Sequence, residues 1–291
     1  MCINNSYKYF LFIIVLFFFN SCRKYETLKD TDVVFYGHKG GGSNVYNEKF
    51  MENTVPSFKE TIQLLDGIEF DIQLSLDGTI WLYHNHDLND KSCHPAQAPR
   101  YIPLMTDEEI AANMLCEFGK TDRIYKFSEV IELWNNHSRS FPITIDIKIS
   151  FPREILAEMG GKETYYTNLA QAVADDVKQA ENTNLISFEF FDVFFLNELK
   201  KHEVTKDMKM FFSGDEDFQG HMRRALSGGY DGISLNFKHA TKELIEEANE
   251  KGLLVQIWTV YYKDEIAKCL EMSPDFIHTD NIYSKNLMRL R

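Results

Sequence analysis

Two runs of the chain set polar residues at every second position of an otherwise apolar, β-branched sequence: GIEFDIQL at 67–74 and PITIDIKIS at 142–150. Side chains alternate faces along a strand, so Glu69, Asp71 and Gln73 share one face, and Thr144, Asp146 and Lys148 share one face of the second run. The isoleucines and Phe70 occupy the opposite faces and pack outward. Carboxylates gathered inside a protein cost on the order of several kcal/mol each unless they are paired or bound to metal. Lys148 can neutralise only one of Glu69, Asp71 and Asp146. A hard divalent cation with oxygen ligands, Ca2+ or Mg2+, satisfies the rest. His38, at the end of an apolar run at 33–38, and His84 add groups that titrate near neutrality. Such a pair can divide general-base and general-acid roles.

These residues need a scaffold that brings several strand ends together. The apolar pattern predicts strands at 33–38, 67–75, 79–84, 142–150, 184–188, 208–212, 231–235, 253–260 and 275–279. Helical patterns fall between most of them, at 54–65, 128–134, 164–181, 191–200, 219–227, 241–250 and 264–270. Strand–helix alternation argues for parallel strands with crossover helices. The exception is Asp77-Gly78, a two-residue hairpin signal that makes 79–84 a returning arm. On that turn Leu76 faces Thr79, which places Asp71 opposite His84 and Glu69 opposite His86. Eight parallel strands remain, and the expected fold is an α/β (β/α)8 TIM barrel with a β-hairpin extension after the second strand. An open doubly wound sheet fits less well, because GHKGGG after the first strand lacks the dinucleotide-binding spacing. His94, His137, His202, His221, His239 and His278 read as core or surface residues.

The chain has 291 residues and a net charge of −13, an acidity that excludes a nucleic-acid footprint. Lys8 followed by the wholly apolar run 10–19 and by Ser21-Cys22 reads as a lipoprotein-type signal peptide at 1–21, too short to span a bilayer. Residues 22–31 then form a polar tether and 32–291 a single domain, anchored to a membrane through lipidated Cys22. Cleavage removes only Lys8 among the charged residues, so the mature chain carries −14. The expected location is the bacterial cell envelope, facing the periplasm or the exterior. Export permits a Cys93–Cys116 disulfide, although a free buried thiol is the commoner fate of a lone cysteine. Nothing in the pattern sets an oligomeric state.

Taken together, GHKG at 37–40, MENTVPSF at 51–58, GIEFDIQLSLDG at 67–78, the arm ending in His84, IDIK at 145–148, LISF at 185–188, GLLVQIWTV at 252–260 and FIHTD at 276–280 resemble the glycerophosphodiester phosphodiesterase family. The resemblance spans roughly 33–283. It implies a metal-dependent (β/α)8 barrel that hydrolyses a small anionic phosphodiester to glycerol 3-phosphate and an alcohol. By residue it implies His38 and His84 as the acid/base pair and Glu69, Asp71 and Asp146 as metal ligands. It further implies Lys39 and Lys148 on the phosphate, Glu52 organising that site, and Trp258 as a wall for the glycerol or head group. Three positions depart from the family pattern. Lys39 stands where Arg is usual, Asp146 where Glu is usual, and His84-Asn85 where His-Asp is usual. His86-Asp87 reproduces that dipeptide two residues later, which makes His86 a competitor for the catalytic role. A related phospholipase and a non-catalytic phosphodiester- or glycan-binding lipoprotein are the alternative readings.

Overall fold

In the computed structural model, residues 33–42, 49–149, 151–214 and 217–285 are described. The signal segment 1–21, Cys22 and the tether lie outside these residues. The elements in chain order are β1 (Val34–Gly37), α1 (Val55–Leu64), β2 (Gly67–Leu74), β3 (Ile80–Leu82), α2 (Asp107–Ala111), β4 (Met114–Glu117), β5 (Lys120–Arg123), α3 (Phe127–Asn136) and β6 (Ile143–Ile147). They continue with α4 (Arg153–Glu158), α5 (Lys162–Val177), β7 (Ile186–Phe190), α6 (Val193–Leu199), β8 (Lys209–Gly214), α7 (Phe218–Gly228), β9 (Gly232–Asn236), α8 (Lys242–Glu250), β10 (Leu254–Val260), α9 (Lys263–Met272) and β11 (Phe276–Thr279).

The strands β1, β2, β6, β7, β8, β9, β10 and β11 pair in parallel, and β1 pairs with both β11 and β2, so the sheet closes on itself. This is the expected (β/α)8 barrel, and residues 32–287 pack as one compact unit. Ile68, Phe70, Ile72, Ile143, Ile145 and Ile147 are buried. Side-chain caps start several helices: Thr54 accepts from the Ser57 N–H ahead of α1, and Thr241 from the Leu244 N–H ahead of α8. Among the described residues, no helix is long and apolar enough to cross a membrane.

The hairpin after β2 is present, but its register differs from the sequence expectation by one residue. Leu74 pairs with Ile80 and Ile72 with Leu82, and the Ser75 N–H bonds the Thr79 carbonyl at 2.9 Å. The loop therefore holds three residues, 76–78, with Gly78 at φ +83°. A glycine in the left-handed region closes this longer loop without steric cost, which a pure two-residue reading of Asp-Gly overlooks. Asp71 consequently lies across from Tyr83, whose N–H reaches the Asp71 carbonyl at 3.2 Å, and not from His84.

The segment between β3 and α3 folds as an insert that the sequence pattern did not reveal. It contains α2 and the antiparallel pair β4–β5, in which Phe118-Gly119 makes the turn with positive φ at both residues. Its Tyr83, Leu88, Ile102, Met105, Ile110, Leu115 and Ile124 pack with Trp81 of β3 and with Met51 in one buried cluster shared with the barrel. Cys93 and Cys116 are joined by a disulfide, and Cys269 is a buried free thiol.

Candidate active site

Glu69 and Asp71 project from β2 and Asp146 from β6, where parallel pairing sets Asp71 beside Asp146. One carboxylate oxygen from each lies within 4.8 Å of the others. Burial pushes the Glu69 carboxyl well above its ordinary range, reinforced by Asp71, Glu189 and Asp146. Burial likewise raises Asp146, to about 6, against the opposing pull of Lys148. For Asp71 burial is outweighed by Lys148, His84, Lys39 and His38, which hold it below the usual carboxylate range. The Lys148 ammonium sits 3.2 Å from Asp71 Oδ1 and bonds Asp146 Oδ2 directly. Glu69 Oε1 and Asp71 Oδ1 are nevertheless buried without a hydrogen bond. Three converging carboxylates, with Glu69 Oε1 left over, are a donor set suited to a hard divalent cation. Asn53 steadies one member: its Nδ2 donates to Asp71 Oδ2 at 2.7 Å and its Oδ1 accepts from the Asp71 N–H at 3.0 Å.

His38 follows β1 at the carboxyl rim of the barrel and opens a one-turn helix, His38–Gly40. That turn is locked from behind, because Ser57 and Thr61 of α1 both donate to the Gly40 carbonyl. Gly40 takes φ +75°, and a Cβ there would meet Phe58 at 2.5 Å. The Lys39 N–H donates to Glu69 Oε2 at 2.8 Å. His38 Nδ1 lies 2.7 Å from Asp280 Oδ1, just past β11, and its Nε2 lies 3.9 Å from Glu69.

His84 reaches the site although the ladder ends at Leu82. Gln73 donates its amide to the Tyr83 carbonyl at 3.0 Å and the Asn85 carbonyl at 2.6 Å, holding the departing chain against β2. His84 Nδ1 contacts Asn85 Oδ1 at 2.8 Å, and Asn85 Nδ2 donates to Asp90 Oδ2 at 3.0 Å. An ionised Asp90 only accepts, which fixes the Asn85 amide; its oxygen then accepts from His84, so Nδ1 carries the proton and Nε2 offers a lone pair. Burial lowers the His84 pKa, helped by Lys39 and Lys148 against Asp71. A cavity of about 160 Å³ opens here, lined by Gln73, His84, His86, Lys148 and Phe151. His86 thus shares the cavity wall but is exposed.

Lys39 Nζ lies 3.9 Å from Glu52, and Lys91 of the insert bonds the same carboxylate. Glu52 is therefore the counter-ion of two lysines. Trp258 is partly exposed near the carboxyl end of β10, beside Asn236 of β9, and is not among the residues lining the cavity next to His84.

Several participants escaped the sequence reading. Asn53 and Asp280 lie in quoted motifs yet carry no role there, and only their side-chain partners reveal one. Glu189 fell outside the strand expected at 184–188, which begins and ends two residues later as β7. It is buried, raised by burial against hydrogen bonds from Ser234 and Gln256, and stands next to Asp146 in register. His278 is a core residue as expected, but neither ring nitrogen has a hydrogen-bond partner. Glu189 lies 3.6 Å away, and burial drives the His278 pKa down to about 3.

The chain is similar to known proteins in sequence and fold. Residues 38–284 match the Glycerophosphoryl diester phosphodiesterase family. A glycerophosphodiester phosphodiesterase of Caldanaerobacter subterraneus subsp. tengcongensis is 23% identical over 251 residues, covering 84% of this chain and 92% of the relative. The Silicibacter pomeroyi protein solved under the same family name superposes with a TM-score of 0.76 at 21% identity, covering 89% of this chain and 94% of that one. The Oleispira antarctica phosphodiesterase solved with sn-glycerol-3-phosphate gives 0.72 at 16% identity, over 88% and 96%. The chain belongs to the glycerophosphoryl diester phosphodiesterase family.

Proposed function

We propose that the protein hydrolyses glycerophosphodiesters to sn-glycerol 3-phosphate and an alcohol, using a divalent cation held by Glu69, Asp71 and Asp146. The observation that carries this reading is the buried carboxylate triad, with Glu69 Oε1 left without a hydrogen bond, flanked on one rim by His38 and His84. Ca2+ or Mg2+, when bound, supplies Lewis-acid polarisation of the phosphoryl oxygens. Lys39 and Lys148 hold the anionic diester in a protein whose net charge otherwise repels it. His84, neutral with its lone pair at Nε2, takes the proton from the attacking water, whose oxygen ends on the phosphorus of glycerol 3-phosphate. His38, oriented by Asp280, delivers a proton to the leaving alkoxide. Trp258 walls the glycerol or head group. The sn-glycerol-3-phosphate complex of the Oleispira relative supports the product assignment.

The test is release of sn-glycerol 3-phosphate from glycerophosphocholine. Activity is expected to vanish with EDTA, to return with Ca2+ or Mg2+, and to fall at least ~100-fold in His38→Ala. Metal-independent turnover, or cleavage of intact phospholipid in preference to the deacylated diester, overturns it. The apolar run 10–19 before Ser21-Cys22 supports export and lipid anchoring at Cys22 in the cell envelope. Cys22→Ser is then expected to move the protein from the membrane fraction to the soluble one.

A further inference from the structure

The insert contributes a charged side chain to the phosphate end of the site. Lys91 is 11% exposed, and its ammonium bonds Glu52 and also Glu117 Oε1 at 2.9 Å. Glu52 and Glu117 are themselves only 12% and 20% exposed, so their charges are poorly hydrated and need a partner. Burial penalises the Lys91 ammonium, yet the two carboxylates raise its pKa and keep it charged. Lys39, by contrast, stands at 3.9 Å from Glu52, outside hydrogen-bond range. Lys91 thus bonds both carboxylates directly, and Lys39 keeps only the longer ion pair to Glu52.

The position of Lys91 is set by the insert and not by the barrel. The Cys116 N–H donates to the Lys91 carbonyl at 2.7 Å, the Cys93 N–H donates to the Met114 carbonyl at 2.8 Å, and the Cys93–Cys116 disulfide ties the same two segments. Lys91 and Glu117 therefore arrive at Glu52 as one prearranged unit.

We propose that Lys91 is a positioning residue for anion binding. By occupying Glu52 and Glu117, it leaves the Lys39 ammonium available to the phosphodiester, and the Cys93–Cys116 clip holds it there. Without Lys91, Glu52 captures Lys39 and withdraws it from the phosphate. The inference rests on the phosphodiesterase reading above.

Two measurements separate the two ideas. In turnover of glycerophosphocholine, Lys91→Met is expected to raise KM about 10-fold with kcat changed less than about 3-fold, and Lys91→Arg to restore KM. Calorimetric titration with inorganic phosphate in the presence of Mg2+ needs no turnover, and its Kd is expected to weaken in parallel. Adding Glu52→Gln to Lys91→Met is expected to recover phosphate affinity, because the competing carboxylate is gone; a merely structural loss would not be recovered. Cys93→Ser with Cys116→Ser is expected to move KM in the same direction as Lys91→Met. An unchanged phosphate Kd in Lys91→Met, a kcat loss exceeding the KM rise, or no recovery with Glu52→Gln overturns the proposal. A wild-type enzyme that binds phosphate but cleaves no glycerophosphodiester overturns the activity instead and leaves the phosphate titration to decide on Lys91.

Discussion

The two histidines of the site differ in what stands behind them. Asp280 presents a carboxylate to His38 Nδ1, whereas His84 meets the neutral amide of Asn85, with Asp90 one bond further away. Burial lowers the His84 pKa, and Lys39 and Lys148 add to it; together they outweigh Asp71 and the Asn85 hydrogen bond, which favour the charged form. His84 thus stays an unprotonated base to lower pH than a free histidine. Asn85→Asp adds a negative charge beside it and favours the imidazolium, so the acidic limb of kcat/KM is expected to move up by about one pH unit. A pH–rate profile of the variant against wild type checks this. His84→Ala is expected to cost about 10³-fold in kcat, and His86→Ala no more than a few-fold. Side-by-side assays of the two variants decide the assignment. Glu69, Asp71 and Asp146 were legible because the two-residue period of a strand writes their common face into the sequence. Asp280 was not legible as a partner of His38, since 242 residues separate them and only the closure of β1 on β11 brings them together.

At the scale of elements, the eight barrel strands were readable from apolar runs bounded by turn residues, and the hairpin from Asp77-Gly78. The register was not, because Asp-Gly serves both two- and three-residue loops, and only the backbone conformation at Gly78 chooses between them. That residue has no neighbour within 4 Å of an added Cβ, so Gly78→Ala meets no clash and bears only the strain of φ +83°. The expected loss is about 1 kcal/mol, read as a lower denaturant midpoint at unchanged m-value. His84 reaches the site through Gln73, a polar strand residue whose amide grips the chain after β3. The insert escaped because β4 and β5 are four-residue strands, the first mixing polar and apolar residues and the second wholly polar, with no long periodic stretch. Gly119 and the two cysteines were its signals, but the sequence left a Cys93–Cys116 disulfide and free thiols both open.

For the whole molecule, the interior acids link metal to stability. Glu69, Asp146 and Glu189 take up protons more readily folded than unfolded, since burial raises all three; Asp71 runs the opposite way. A carboxyl whose folded pKa is raised favours folding at low pH, and that contribution is lost as pH climbs through the folded value. The Asp146 contribution in the EDTA-treated protein, read as the difference between wild type and Asp146→Asn, is therefore expected to fall between about pH 4 and 6, while His278, lowered to about 3, contributes the opposite slope. Saturating Ca2+ or Mg2+ is expected to reverse the slope, because deprotonated ligands are needed for binding. Differential scanning calorimetry across that range, with and without metal, reads a change of roughly 2–4 °C per kcal/mol for a domain of this size. The barrel ladder itself runs straight from β2 to β6, Ile68 beside Ile143 through Ile72 beside Ile147, as though everything between Leu74 and Ile143 were absent. That segment has its own covalent staple, yet its apolar centre takes in Trp81 of β3 and Met51 and it carries His84 and Lys91, so it is one lobe of the site: replacing it with a relative's segment replaces part of the site along with it.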